Sequence, residues 1–380
     1  MPTLRLLSLL LLVYCAASTH AQGQQTLLDT LLHNNISRDY RLYIPAAYTG
    51  NAAYPLVFNL HGYGSSAFEQ QLYAQMDPVA DTAHFIVCYP NGVDKAWNVG
   101  WIFGSQADDV DFIGALLDKL IAQYNIDTSR VYSCGMSNGG FMSYRLACEL
   151  NDRVAAVASV TGSMVPVYAP TCQPGRSVPV MEIHGTADPV VPYNGQIGVS
   201  LPVDTVVQYW VNQNGCNQSP VATVVPNLDP TDGCTAVRFD YGACDQDRPV
   251  SFYKITGGGH TWPGAPINIG VTCQDFDASV EIWRFFNRFR LPVSTGVEQA
   301  TNGRVAVFPN PVSDVLHLRL PEGSTQAAYV VYNNIGVQCA QGLLTGTQPV
   351  VPVQALPAGA YYLRIQGASA DVVARFLKSN

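Results

Sequence analysis

Six short, nearly continuous apolar runs most constrain this chain: 56–60, 85–89, 131–134, 154–160, 178–183 and 250–255. A strand with one wet face alternates apolar and polar residues, whereas an unbroken apolar run suits a strand covered on both faces. Between them lie stretches with helical spacing, at 109–124, 139–150, 203–212 and 278–289. Strand, helix, strand in alternation predicts a mostly parallel sheet with right-handed crossovers and helices on both faces. Its span is 24–292. Residues 293–303 are small and polar without periodicity, which marks a linker. From 304 to 380 the texture is all strand, with turn signals between alternating runs such as Leu316–Leu320 and Tyr361–Ile365. That pattern predicts a small C-terminal β-sandwich.

The start of the chain reads as a targeting segment. Arg5 precedes an apolar stretch ending in small residues near Ala21, which predicts a secretory signal over 1–21, too short to be a transmembrane helix. Export explains the cysteines. Ten are present, Cys15 leaves with the signal, and no Cys-x-x-Cys pair suggests zinc. Cys88 and Cys134 sit within strand-like runs and read as buried thiols. The net charge of −8 and the lack of any basic run argue against a nucleic-acid partner.

The chemistry gathers around Gly135-Met136-Ser137-Asn138-Gly139. A serine hydroxyl attacks only when a neighbouring base takes its proton. A Gly-x-Ser-x-Gly turn between strand and helix presents such a serine on a sharp elbow, the arrangement of the α/β-hydrolase fold. Ser137 is therefore the candidate nucleophile. The partners follow in the order acid, then histidine: Asp188, past the end of the run 178–183, and His260, on the glycine loop 257–259 after the run 250–255. His184 reads as a core or supporting residue. For the oxyanion, the backbone N–H of Asn138 and that of Tyr63, in His61-Gly62-Tyr63-Gly64, are the candidate donors. Asp108-Asp109-Val110-Asp111 reads as a helix start and Asp229–Gly233 as a turn, so neither metal nor cofactor is expected. Trp97, Trp101 and Trp262 flank these loops and are the candidate substrate-binding platforms for an aryl group or a sugar.

Together, His61-Gly-Tyr-Gly, Gly135-Met-Ser-Asn-Gly-Gly, His184-Gly-Thr-Ala-Asp-Pro and Gly257-Gly-Gly-His-Thr-Trp-Pro-Gly264 resemble the polyhydroxybutyrate depolymerase-like esterases and the related feruloyl and acetylxylan esterases of carbohydrate esterase family 1. The resemblance implies a serine carboxylic ester hydrolase working through an acyl-enzyme, with the triad already named. It also implies disulfides Cys148–Cys172 and Cys216–Cys244. The substrate expected is a feruloyl or acetyl ester of a polysaccharide, with a polyhydroxyalkanoate as the alternative. A silent binding module is disfavoured by the complete set of catalytic residues. A peptidase of the same fold is disfavoured because no large gating domain accompanies the catalytic part. The C-terminal motifs Val307-Phe-Pro-Asn-Pro-Val312, Leu356-Pro-Ala-Gly359 and Tyr361-Tyr-Leu-Arg-Ile365 resemble the sorting domain of type IX secretion. That resemblance implies passage through the periplasm to the cell surface or exterior, with the type IX machinery as partner and the tail removed.

Overall fold

The computed structural model describes residues 25–291, 306–319, 326–334, 336–345, 349–366 and 372–379. The signal over 1–21 and the linker over 293–303 lie outside them. The chain divides into two compact units, 1–292 and 293–380.

The first unit is one ten-stranded sheet. Its strands are β1 (Gln25–His33), β2 (Ile36–Ile44), β3 (Tyr54–Leu60), β4 (Ile86–Pro90), β5 (Ile126–Met136), β6 (Ala156–Val160), β7 (Val180–Gly185), β8 (Val221–Val224), β9 (Thr235–Tyr241) and β10 (Val250–Thr256). They lie in the order β1-β2-β4-β3-β5-β6-β7-β10-β9-β8. The six central strands, β4 to β10 in that order, pair in parallel, and antiparallel strands close both edges. Each continuous apolar run feeds two cores, because successive side chains point to opposite faces. In β3, Val57 faces one core and Leu56, Phe58 and Leu60 face the other. The first core is covered by α1 (Ala67–Ala74), α2 (Met76–Ala83) and α6 (Ala278–Phe286). The opposite face is covered by α3 (Asp109–Gln123), α4 (Asn138–Glu149) and α5 (Val203–Gln213). The expected sheet, covered by helices on both faces, is what forms.

Cys88 and Cys134 are buried free thiols on opposite faces of the sheet. Cys148–Cys172 and Cys216–Cys244 are disulfides, the pairing implied by the resemblance. In the acidic run at the start of α3, the Asp108 side chain accepts the Asp111 N–H and caps the helix. Asp109 forms a buried ion pair with Arg38.

The second unit holds two antiparallel sheets. One orders β11 (Ala306–Phe308), β12 (Val315–Arg319) and β15 (Val350–Pro352). The other orders β14 (Gln338–Thr345), β13 (Gln326–Asn333), β16 (Gly359–Gln366) and β17 (Val372–Lys378). Leu316 and Leu318 of one sheet and Val331, Leu363 and Phe376 of the other share a single apolar core, which makes a β-sandwich.

Candidate active site

Ser137 occupies the junction of β5 and α4 with φ 54° and ψ −122°. A non-glycine residue in the left-handed region is strained, and here neighbouring contacts hold it there. Its N–H donates to Val160 O at 2.8 Å, and its carbonyl accepts Phe141 N–H at 3.0 Å. The glycines explain themselves through space. A Cβ on Gly139 would stand 2.1 Å from Leu60 O, and one on Gly135 would stand 2.5 Å from the Gly139 carbonyl carbon. Only glycine lets α4 begin this close to β3.

Asp188 follows β7 and His260 follows β10, two neighbouring parallel strands whose ends emerge side by side. His260 Nδ1 lies 2.7 Å from Asp188 Oδ2. Asp188 Oδ1 accepts the N–H groups of Val190 and Val191, both at 2.8 Å, so the carboxylate is fixed in a buried position. With Nδ1 donating to Asp188, the Nε2 of His260 is the ring nitrogen turned from that carboxylate, and His260 and Ser137 line one cavity. Behind Asp188 sits His184, read from the sequence as a core or supporting residue, paired with Glu182, to which the sequence reading gave no role. His184 Nδ1 lies 2.9 Å from Glu182 Oε1, and its Nε2 faces Val191 O at 2.9 Å and Asp188 Oδ2 at 3.5 Å. Acceptors at both ring nitrogens favour the protonated ring. Burial, the largest single influence, opposes its charge, but the Glu182 carboxylate, Val191 O and the Asp188 carboxylate together outweigh it and raise the His184 pKa. Burial also raises the Glu182 pKa, and a proton shared between the two leaves a neutral pair packed behind Asp188.

The loop that follows β3 is held by a histidine side chain. His61 is buried; its Nδ1 donates to Gly62 O at 2.8 Å and its Nε2 accepts Gly92 N–H at 2.9 Å. That pattern requires the neutral ring. Burial lowers its pKa to about 4, against the opposing pull of the bond to Gly62 O. Gly62 lies against Ser137, where an added Cβ would sit 3.4 Å from the serine Cβ. Tyr63, on the loop after β3, lines one cavity with Ser137, and Asn138, directly after the serine, is the first residue of α4. Loop and helix are tied together by Trp97. Its backbone N–H and C=O pair with the Asn138 amide at 2.6 and 3.1 Å, and its indole N–H donates to His61 O at 2.9 Å.

This overturns one expectation. Trp97, Trp101 and Trp262 are buried and do not line the cavity. Trp101 donates to Val199 O and lies beneath the ring of Phe103. Trp262 donates to Ser279 Oγ, which donates onward to Ala74 O. Each indole N–H is spent inside the protein, so these side chains brace loops. The cavity, about 600 Å³, is walled by Tyr63, Leu72, Tyr73, Met136, Val190, Ile267 and Ile269. Sequence reading missed this wall. The available signal was the pair Ile267 and Ile269 in a proline- and glycine-bearing loop, where apolar side chains have no core to join; both are more than half exposed.

Residues 38–205 match the family described as "Esterase PHB depolymerase", and residues 306–379 match "Secretion system C-terminal sorting domain". The "Probable feruloyl esterase C" of Aspergillus clavatus is 31% identical over 281 residues, covering 71% of this chain and 91% of that one. The "Feruloyl esterase C" of Emericella nidulans is 29% identical over 279 residues, covering 71% and 91%. Among solved structures, the acetyl xylan esterase from Aspergillus awamori aligns with TM-score 0.51 at 16% identity, covering 69% of this chain and 99% of that one. The last likeness supports the fold.

Proposed function

Since this chain belongs to the esterase PHB depolymerase family, we propose that its ester hydrolysis runs through Ser137, Asp188 and His260. The observation that carries the reading is the shared cavity of Ser137 and His260, with His260 held by a buried carboxylate. His260 Nε2 takes the Ser137 proton as Oγ attacks the ester carbonyl. The oxyanion that forms is met by the N–H groups of Tyr63 and Asn138. His260 returns its proton to the departing alcohol, leaving an acyl-serine, and then activates water to release the acid.

The wall of Leu72, Tyr73, Val190, Ile267 and Ile269 offers apolar surface to the acyl side, which suits an aryl acid such as ferulate better than acetate. On the alcohol side we place a polysaccharide hydroxyl. A second reading, a hydroxybutyrate polyester, is favoured by the half-exposed apolar rim of Leu72, Val190, Ile267 and Ile269. Comparing kcat/KM for methyl ferulate, acetylated xylo-oligosaccharide and hydroxybutyrate oligomers decides between them. The first reading requires methyl ferulate to lead; a lead by hydroxybutyrate oligomers would replace it with the second. The sorting-domain match indicates secretion or display at the cell surface. The route through the periplasm by the type IX machinery, with removal of the tail, belongs to the same proposal.

A further inference from the structure

The segment that carries His260 runs beneath a second strip of the same loop. Gly259 N–H donates to Val271 O at 2.9 Å, and Gly264 N–H donates to Cys273 O at 2.9 Å, so the strip ending in Cys273 supports the chain on both sides of His260. Ile267 and Ile269, which wall the cavity, lie between. Cys273 is nearly inaccessible, and its sulfur lies within 4.8 Å of that of Cys234, the buried residue just before β9. The two loops are already aligned by carboxylates. Asp232 accepts Cys234 N–H at 2.9 Å through one oxygen and Gln274 N–H at 2.8 Å through the other. Asp275 accepts the N–H groups of Leu228 and Asp229.

We propose that Cys234 and Cys273 form a third disulfide in the exported protein, and that this bond holds the His260 loop in place. The alternatives for the two sulfurs are weaker. Cys88 and Cys134 are sealed within the cores on opposite faces of the sheet, and the other cysteines among the described residues of this unit are paired with each other. A metal ion would find three ligands here, Asp232, Cys234 and Cys273, one short of a closed tetrahedral site, and each oxygen of Asp232 already accepts a backbone N–H. Burial pushes the Cys273 thiol up to about 11 and that of Cys234 higher still, with carboxylates beside them in place of cations. Such thiols react slowly once buried, so oxidation belongs to the chain before folding is complete. The oxidant is the disulfide of a dithiol oxidase in the export compartment. One cysteine thiolate attacks that disulfide and expels an oxidase thiolate. The second cysteine then attacks the mixed disulfide and expels the other, so two electrons pass to the oxidase and two thiol protons to solvent.

The cross-link does not depend on the role of His260, whereas its effect on turnover rests on that assignment, so the two parts fail separately. The exported protein is denatured in urea at neutral pH with an excess of an alkylating reagent, digested without reduction and mapped by mass spectrometry. The proposal expects a linked peptide joining Cys234 to Cys273, with alkylation at Cys88 and Cys134. Alkylation of both Cys234 and Cys273 overturns it, as does one equivalent of zinc whose removal by a chelator exposes both thiols. In the double variant Cys234→Ser/Cys273→Ser, a Tm lower by about 5 °C or more is expected. Its kcat on p-nitrophenyl acetate should fall about ten-fold with KM nearly unchanged, since a displaced base costs rate more than binding. A linked peptide together with unchanged Tm and kcat would refute the positioning role.

Discussion

His61 makes the loop after β3 sensitive to acid, by an amount that follows from its environment. In the fold its pKa is about 4, held down mainly by burial, against about 6.5 in an unfolded chain. Between those values the unfolded state binds a proton that the folded state refuses. Stability is therefore full above about pH 6.5 and is lost as the pH falls toward 4, by about 3 kcal/mol in all. From pH 7 to 4.5 the loss is about 2 kcal/mol. His61→Asn keeps a donor for Gly62 O but removes both the titration and the acceptor for Gly92 N–H, at a cost of about 1–3 kcal/mol near neutrality. The gap between wild type and variant should shrink by about 2 kcal/mol from pH 7 to 4.5. Urea unfolding followed by tryptophan fluorescence measures this, because all five tryptophans lie within residues 25–291 and report on the catalytic unit. Parallel pH profiles for the two proteins would refute the reasoning, as would an NMR titration placing the His61 ring near 6.5.

Three further outcomes follow from the geometry. Gly139→Ala places a Cβ against Leu60 O and should destabilise the protein by about 3 kcal/mol or more, read as a fall in urea midpoint. Asp188→Asn leaves Val190 and Val191 N–H bonded but presents His260 with the wrong partner, so kcat should drop about 10⁴-fold while the fold, checked by circular dichroism, persists. Ile267→Ser/Ile269→Ser thins the apolar wall and should raise KM for methyl ferulate about ten-fold, with a smaller effect on p-nitrophenyl acetate.

Much of the fold was legible because its central strands are buried on both faces, and such runs stand out in sequence. The edges were not. In β1, Leu28 and Leu32 are largely exposed, and all of β8 is exposed, so neither carries the apolar signature of a sheet interior. Helices α1 and α2 are short, and a left-handed Gln75 separates them, which blurs any helical period. At the proposed site, residues that sit in local motifs stand out in the sequence: Ser137 at its turn, Asp188 and His260 after strands. What escaped depends on contacts between distant segments. Trp97 looks like a sugar platform until its bonds to His61 and Asn138 are seen. His61 was read for its neighbours' backbone, while its own ring holds the loop. His184 stands close to Asp188 in sequence, yet its pairing with Glu182 needs the strand to turn both side chains inward.

The most direct test of the central claim is covalent. A fluorophosphonate probe reacts only with a serine whose proton is removed by a nearby base. The account predicts one label per protein, mapped by mass spectrometry to Ser137. In Ser137→Ala, label and p-nitrophenyl acetate hydrolysis should both be lost, with the circular dichroism spectrum unchanged. A label on any other serine, or hydrolysis surviving in Ser137→Ala, would contradict it.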